Sequence, residues 1–106
     1  MRRDVFHAIA DPTRRAIVGL LISQALTPNV LAVKFDSSRQ AISKHIQILH
    51  ECGLVSSKQL GREIFYKIEP RKLKMVDDWL DPFRRLWTDR YNQLDHVLTK
   101  MKKSRK

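Results

Sequence analysis

At Gly53 the spacing of apolar residues changes from a helical period to an alternating one, and this switch constrains the fold more than any other feature of the chain. Wound at about 100° per residue, the stretch before it gathers Gln40, Ser43, Lys44, Gln47, His50 and Glu51 on one side. Ala41, Ile42, Ile46, Ile48, Leu49 and Cys52 form the other, an arc of roughly 160°, broad enough for a helix half sunk in a core. His45 alone interrupts it. After Gly53, LVSSKQLGREIFYKIE alternates, with Ile64, Tyr66 and Ile68 on one face and Phe65 and Lys67 on the other. Leu60-Gly61-Arg62-Glu63 reads as a tight turn with glycine first in the loop. The spacing therefore predicts a helix over 38–51, ended by Gly53 in the left-handed conformation, and a hairpin over 54–68. A lone hairpin is marginal in water, so it must lean on helices through Leu54, Val55 and its isoleucines, as a wing does.

The prolines place the remaining elements. Asp11-Pro12, Thr27-Pro28, Glu69-Pro70 and Asp81-Pro82 each put a proline after a candidate cap and before an apolar-periodic run. Proline suits the first helical position because its missing N–H is not needed there, and the preceding side chain can accept from the free amides. Glu69 is the poorest of these caps. The predicted helices are a short one near Arg3 to Ile9, then Pro12 to Ser23, Pro28 to Lys34, the helix before Gly53, Pro70 to Leu80, and a long one from Pro82 to about Lys102. Ile17, Leu20 and Leu21, with Val30, Leu31 and Phe35, supply the faces against which the fourth helix buries its arc. The short link Asp36-Ser37-Ser38 forces the third and fourth helices to cross sharply, as in a helix-turn-helix. The expected fold is thus mainly α with a two-stranded β-wing, in the order α-α-α-α-β-β-α-α.

In the last helix Leu80, Trp87, Leu94 and Met101 recur every seven residues, flanked by Phe83, Leu86, Tyr91, Val97 and Leu98, with Arg90 spoiling one position. This stripe suits another helix. At 106 residues the chain has the size of one domain, 1–106, with 102–106 read as a flexible basic tail. A formal net charge of +10 draws it to polyanions, nucleic acid first. No apolar run approaches the length of a membrane span and the start lacks a signal peptide's apolar stretch, so a cytoplasmic protein is expected. Cys52 is the only cysteine and reads as a small buried side chain. With no clustered carboxylates, glycine-rich phosphate loop or paired nucleophile and base, an enzyme is not expected, nor any cofactor.

DPTRRAIVGLL, SRQAISKHIQILHECGLV and the hairpin LGREIFYKI together resemble the ArsR/SmtB family of winged-helix bacterial repressors over nearly the whole chain. The most specific part is Ser43 to Ile46 followed by Gly53-Leu54-Val55 and the wing. The resemblance implies a homodimer on a palindromic operator, with the fourth helix in the major groove and the wing beside it. The first and last helices would build the interface, through Val5, Phe6 and Ile9 and through Phe83, Leu86, Trp87, Tyr91, Leu94 and Leu98. Metal-sensing members carry thiolates near the third helix, where this chain has Thr27, Asn29 and Ala32. A second familiar site needs Asp-x-His and His-x-x-Glu on the last helix, where only Asp95 beside His96 is found. His7, His45, His50 and His96 are scattered, so no metal site is expected. The nearer match is the metal-independent, SdpR-like branch of autorepressors.

On double-stranded DNA, Gln40 and Gln47 suit adenine edges, Lys44 guanine acceptors and Ser43 several partners. Ser37, Ser38 and Arg39, at the helix start, suit a phosphate, and Ser38 also suits a cap. Arg62 at the wing tip suits a narrow minor groove or a flanking phosphate, with Lys58 and Lys67 behind it. Arg2, Arg3 and the tail add salt-screened attraction. The competing functions are a basic RNA-binding or nucleoid-coating protein without sequence preference, and a protein-interaction module. An effector ligand or partner protein has no signature in the sequence.

Overall fold

Each of the first four helices starts at a side-chain oxygen that accepts the N–H three residues on, satisfying one of the amides a helix start leaves free. In the computed structural model, which describes residues 4–103 and Lys103 by its backbone only, Asp4 caps α1 (Val5–Ile9) by accepting from the N–H of His7 at 3.0 Å. Asp11 caps α2 (Pro12–Leu21) through Arg14 at 3.0 Å, and Thr27 caps α3 (Pro28–Lys34) through Val30 at 3.3 Å. Ser38 caps α4 (Arg39–Glu51) through Ala41 at 3.1 Å. Pro12 and Pro28 occupy the first turns of their helices, as their spacing predicted. Arg2, Arg3 and the last three residues of the expected basic tail lie outside the described residues.

α3 and α4 end in the same way. After α4, Gly53 has φ 76°, its N–H donates to the His50 carbonyl at 3.1 Å, and the N–H of Leu54 donates to Leu49 at 3.0 Å. After α3, Asp36 has φ 49°, with Asp36 N–H on Val33 at 3.2 Å and Ser37 N–H on Ala32 at 3.0 Å. Both are Schellman closures, in which a left-handed residue turns the chain back over the last carbonyls. At Asp36 this reversal sends the chain from α3 directly into Ser37, Ser38 and α4.

The wing is β1 (Val55–Leu60) paired antiparallel with β2 (Glu63–Ile68), in register from Val55 opposite Ile68 to Leu60 opposite Glu63. Gly61 takes φ 66° while Arg62 keeps a negative φ, the pattern of a two-residue turn with glycine first. The hairpin leans on the helices through buried Leu54 and Val55, as expected, and also through a backbone bridge: Leu26 and Tyr66 exchange N–H···O bonds of 3.0 and 2.8 Å. The isoleucines divide, with Ile68 packed on the core and Ile64 exposed near the tip.

The core combines Val5, Ile17, Leu21, Leu31, Ile42, Ile46, Leu49 and Leu54, each 7% exposed or less. The predicted arc of α4 is the buried one, Cys52 included. Two expectations are corrected. Val30, expected to face the fourth helix, points outward because Leu31 and Ala32 take the inner side of α3. Val5, expected at a dimer interface, is 2% exposed inside this core, while Phe6 and Ile9 pack on it half-buried.

After Glu69, which accepts from the Ser56 hydroxyl at 2.7 Å and caps nothing, a 3₁₀ turn over Pro70–Leu73 leads into one α-helix, α5 (Lys74–Lys103). The expected helix start at Asp81-Pro82 does not exist: Pro82 lies within α5. Proline supplies no N–H to the helical ladder. Arg84 pairs with Asp81 one turn back, at 3.4 Å, and with Asp77 two turns back, so one guanidinium ties the turns on either side of the proline. Lys102 and Lys103, expected in a flexible tail, continue this helix.

The chain divides into two compact units between Val76 and Asp77. The first holds the core and the wing. The second is α5 beyond that point, and its Phe83, Leu86, Trp87, Tyr91, Leu94 and Leu98 are all exposed, between 38% and 73%. Trp79, 56% exposed, extends the stripe by one turn: its ring lies 4.9 Å from that of Phe83, which lies 6.3 Å from that of Trp87. No helix among the described residues is long and apolar enough to cross a membrane.

Candidate nucleic-acid interface

The burial of Ile42, Ile46 and Leu49 fixes the rotation of α4, and with it the outward direction of Arg39, Gln40, Ser43, Lys44 and Gln47, all exposed. Ser37 and Ser38 are exposed at its start, and Lys58 and Arg62 on the wing. All nine candidate contact residues are therefore at the surface of the first unit, but the structure groups them unequally.

Arg39, Ser43 and Arg62 line one depression of about 270 Å³ with Thr27, Pro28, Asn29, Glu63, Ile64 and Tyr66. Ser43 and Gln47 line a second, of about 510 Å³, with Pro28, Ile46, His50, Glu51, Ser57 and Tyr66. In it the His50 and Tyr66 rings meet edge to face at 6.5 Å. Gln40 and Lys44 line neither and stand on the open face of α4, and Lys58 sits on β1 opposite Phe65. Two of the candidates already have partners. The Ser38 hydroxyl is the cap of α4, and the Gln47 amide donates to Glu51 Oε1 at 3.2 Å, one turn along the same helix.

Beneath α4 lies a polar cluster that the sequence did not reveal. Arg14, 9% exposed, donates from Nε to the Ala8 carbonyl at 2.7 Å and from Nη2 to the His7 carbonyl at 3.2 Å. Arg15 donates to the Ile9 carbonyl at 2.7 Å. The two guanidiniums thus close the C-terminal carbonyls of α1, which a helix of five residues cannot satisfy itself. Nη1 of Arg14 reaches His45 Nδ1 at 3.4 Å, and His45 Nδ1 lies 3.8 Å from Asp11 Oδ2. The Arg14 N–H that Asp11 accepts holds its carboxyl below the ordinary value of 3.8, and the neighbouring His45 and Arg14 charges act in the same direction against partial desolvation.

His45 is therefore the half-buried, partnered imidazole that its place in the apolar arc predicts. Arg14 and Arg15 are fold residues as well as contributors to the charge. One signal in the sequence pointed to them: two cations in the first turn of α2, where the helix dipole disfavours positive charge. Among the described residues, no three His, Cys, Asp or Glu side chains come together as a metal site.

Residues 9–57 match the model of a helix-turn-helix domain family. The chain is 35% identical over 77 residues to the transcriptional repressor SdpR of Bacillus subtilis (strain 168), a match spanning 73% of this chain and 86% of that repressor. Among solved structures it is similar to a possible transcriptional regulator for arsenical resistance, at 40% identity and a TM-score of 0.70, covering 81% of this chain and 95% of the other. An ArsR-like transcriptional regulator from Rhodococcus sp. RHA1 superposes with a TM-score of 0.70 at 33% identity, over 91% of this chain and 88% of the other.

Proposed function

Since this chain belongs to the ArsR family of winged helix-turn-helix transcriptional repressors, which are DNA-binding regulators and not enzymes, we propose that it is a cytoplasmic homodimer that represses transcription by reading a palindromic operator. α4 of each protomer enters the major groove, where Gln40, Ser43, Lys44 and Gln47 meet base edges. Ser37, Ser38 and Arg39 position the helix on the backbone, and the wing follows with Lys58 and Arg62. What carries this is the asymmetry of α4: one side is locked in the core by Ile42, Ile46 and Leu49, and the other presents an unbroken polar and basic surface of the width one groove admits. Gln47 must exchange Glu51 for a base edge, a small cost on an exposed helix.

Dimerisation through α5 is supported by its exposed stripe, which from Trp79 to Met101 extends about 33 Å at 1.5 Å per residue. Phe6 and Ile9 on α1 are half-buried and add to the same proposal.

The test is a titration of a labelled duplex from upstream of the protein's own gene against a scrambled competitor at physiological salt. A preference of about a thousandfold or more is expected of a sequence-reading repressor. Equal, steeply salt-dependent affinity for both duplexes points instead to a nucleic-acid coat held by the +10 charge alone. DNA binding that requires a second protein points to an interaction module.

A further inference from the structure

The 270 Å³ depression is lined by two arginines from distant points of the chain: Arg39 at the first turn of α4 and Arg62 at the wing tip. The Leu26–Tyr66 bridge pins β2 to the helices four residues from Arg62, so the site is assembled before any ligand arrives. Hydroxyl and amide donors surround it, from Ser43, Asn29 and Thr27, whose oxygen caps α3 and whose proton remains free to donate. Glu63 is the one acidic residue in the lining. Two arginines less one glutamate leave a formal charge of +1 on the wall.

From this we infer that the depression is a clamp for a single backbone phosphodiester, held jointly by Arg39 and Arg62 with Asn29 as an additional donor. The inference rests on the DNA-binding reading above and sharpens it. A phosphate protrudes from the duplex and can enter a depression between α4 and the wing, whereas base edges lie on the floor of a groove and meet the open face of α4, with Ser43 at the border of the two. The charge matches as well: a phosphodiester carries one negative charge and neutralises the wall, while a phosphomonoester, at about −1.5 to −2 near pH 7, overshoots it. Arg62 then acts on the backbone in company with Arg39, and the wing tip positions the protein without reading a minor groove. Glu63 opposes the clamp and limits its strength.

The experiment uses the full-length protein and a duplex selected by it from random DNA, with single phosphates replaced in turn by neutral methylphosphonates. Wild type, Arg39→Ala, Arg62→Ala, the double variant and Glu63→Gln are titrated on each duplex, and far-UV circular dichroism confirms that these surface variants remain folded. On unmodified DNA each arginine variant should lose about five- to twentyfold and Glu63→Gln should gain about threefold. At one methylphosphonate position per half-site all three effects should vanish together, and the double variant should lose little more than either single one. If Arg39→Ala and Arg62→Ala are silenced at different positions, or at none, while wild type still selects its duplex, the clamp is refuted and the DNA-binding reading stands. If wild type selects no duplex, that reading fails and the clamp with it. Inorganic phosphate and adenosine monophosphate, titrated into the free protein by NMR, should give no saturable shift of the Arg39 and Arg62 Nε–H signals below 10 mM, on the order of the weak affinity expected of one exposed ion pair. Saturation at sub-millimolar concentration would assign the site to a small phosphorylated ligand and overturn the backbone clamp.

Discussion

Replacing Arg14 with alanine removes the bond that closes the Ala8 carbonyl in a buried setting, one of two donors to the His7 carbonyl, and the contact to His45. The first loss is the large one, because an orphaned buried acceptor costs about 1–3 kcal/mol. The second is smaller, since His7 O still accepts from the Ala10 N–H at 3.2 Å. The third, at 3.4 Å, is near the limit of a hydrogen bond and adds little. Relief of the buried guanidinium's own desolvation offsets part of the total. The expected net loss is about 2–3 kcal/mol, which for a unit of this size lowers the melting temperature by roughly 10–20 °C. Arg15→Ala, which removes an exposed bond to Ile9, is the internal control and should cost about 0.5 kcal/mol. Lysine at position 14 should recover only part of the loss, because a single ammonium cannot repeat the guanidinium's fork. Both tryptophans lie in α5, so the assay should follow amide hydrogen exchange in α1 and circular dichroism rather than indole fluorescence. α1 has five residues and no independent stability, and its amides should lose protection first. If Arg14→Ala melts no lower than Arg15→Ala, the buried closure of α1 does not stabilise the fold as described.

Other perturbations test separate parts of the molecule. Gly53→Ala forces a side chain into φ 76° and sets its Cβ 3.2 Å from the Lys72 stem; it should cost about 1–2 kcal/mol in urea unfolding, whereas Asp36→Gly, relieving φ 49°, should stabilise by up to about 1 kcal/mol. Asp11 has its pKa lowered in the fold, so its contribution is full above the ordinary value of 3.8 and is lost as pH falls through the folded value. Asp11→Asn keeps the cap without the titration, and its stability should fall less steeply than wild type below about pH 4. Trp87→Glu places a charge in the α5 stripe and should give monomers by sedimentation, with much weaker operator binding; a surviving dimer would exclude the stripe as the interface. Lys44→Ala should weaken specific more than scrambled-duplex binding, and equal losses on both would remove Lys44 from base reading.

Much of this fold was legible locally. Caps, first-turn prolines and left-handed glycines act within three or four residues of themselves, which is why Asp11-Pro12, Thr27-Pro28, Ser38, Gly53 and Gly61 announced their elements correctly. The apolar arc of α4 was readable too, and with it the polar face, since burying one side of a helix exposes the other. Asp81-Pro82 shows where local reading ends: the same dipeptide that starts α2 lies inside α5, because the preceding turn is already helical and Arg84, beyond the proline, binds the Asp77 and Asp81 carboxylates before it. Extending a formed helix is cheaper than nucleating a new one. Tertiary structure alone decided that Arg14 would serve α1 and His45, partners 6 and 31 residues away, and that Val5 would be enclosed by the core. It also decided that Arg39 and Arg62 share one depression, since that depends on Leu26 capturing the edge of β2. Sequence determines which backbone conformations are locally favourable and which face is apolar; which distant charges meet follows only from how those faces pack.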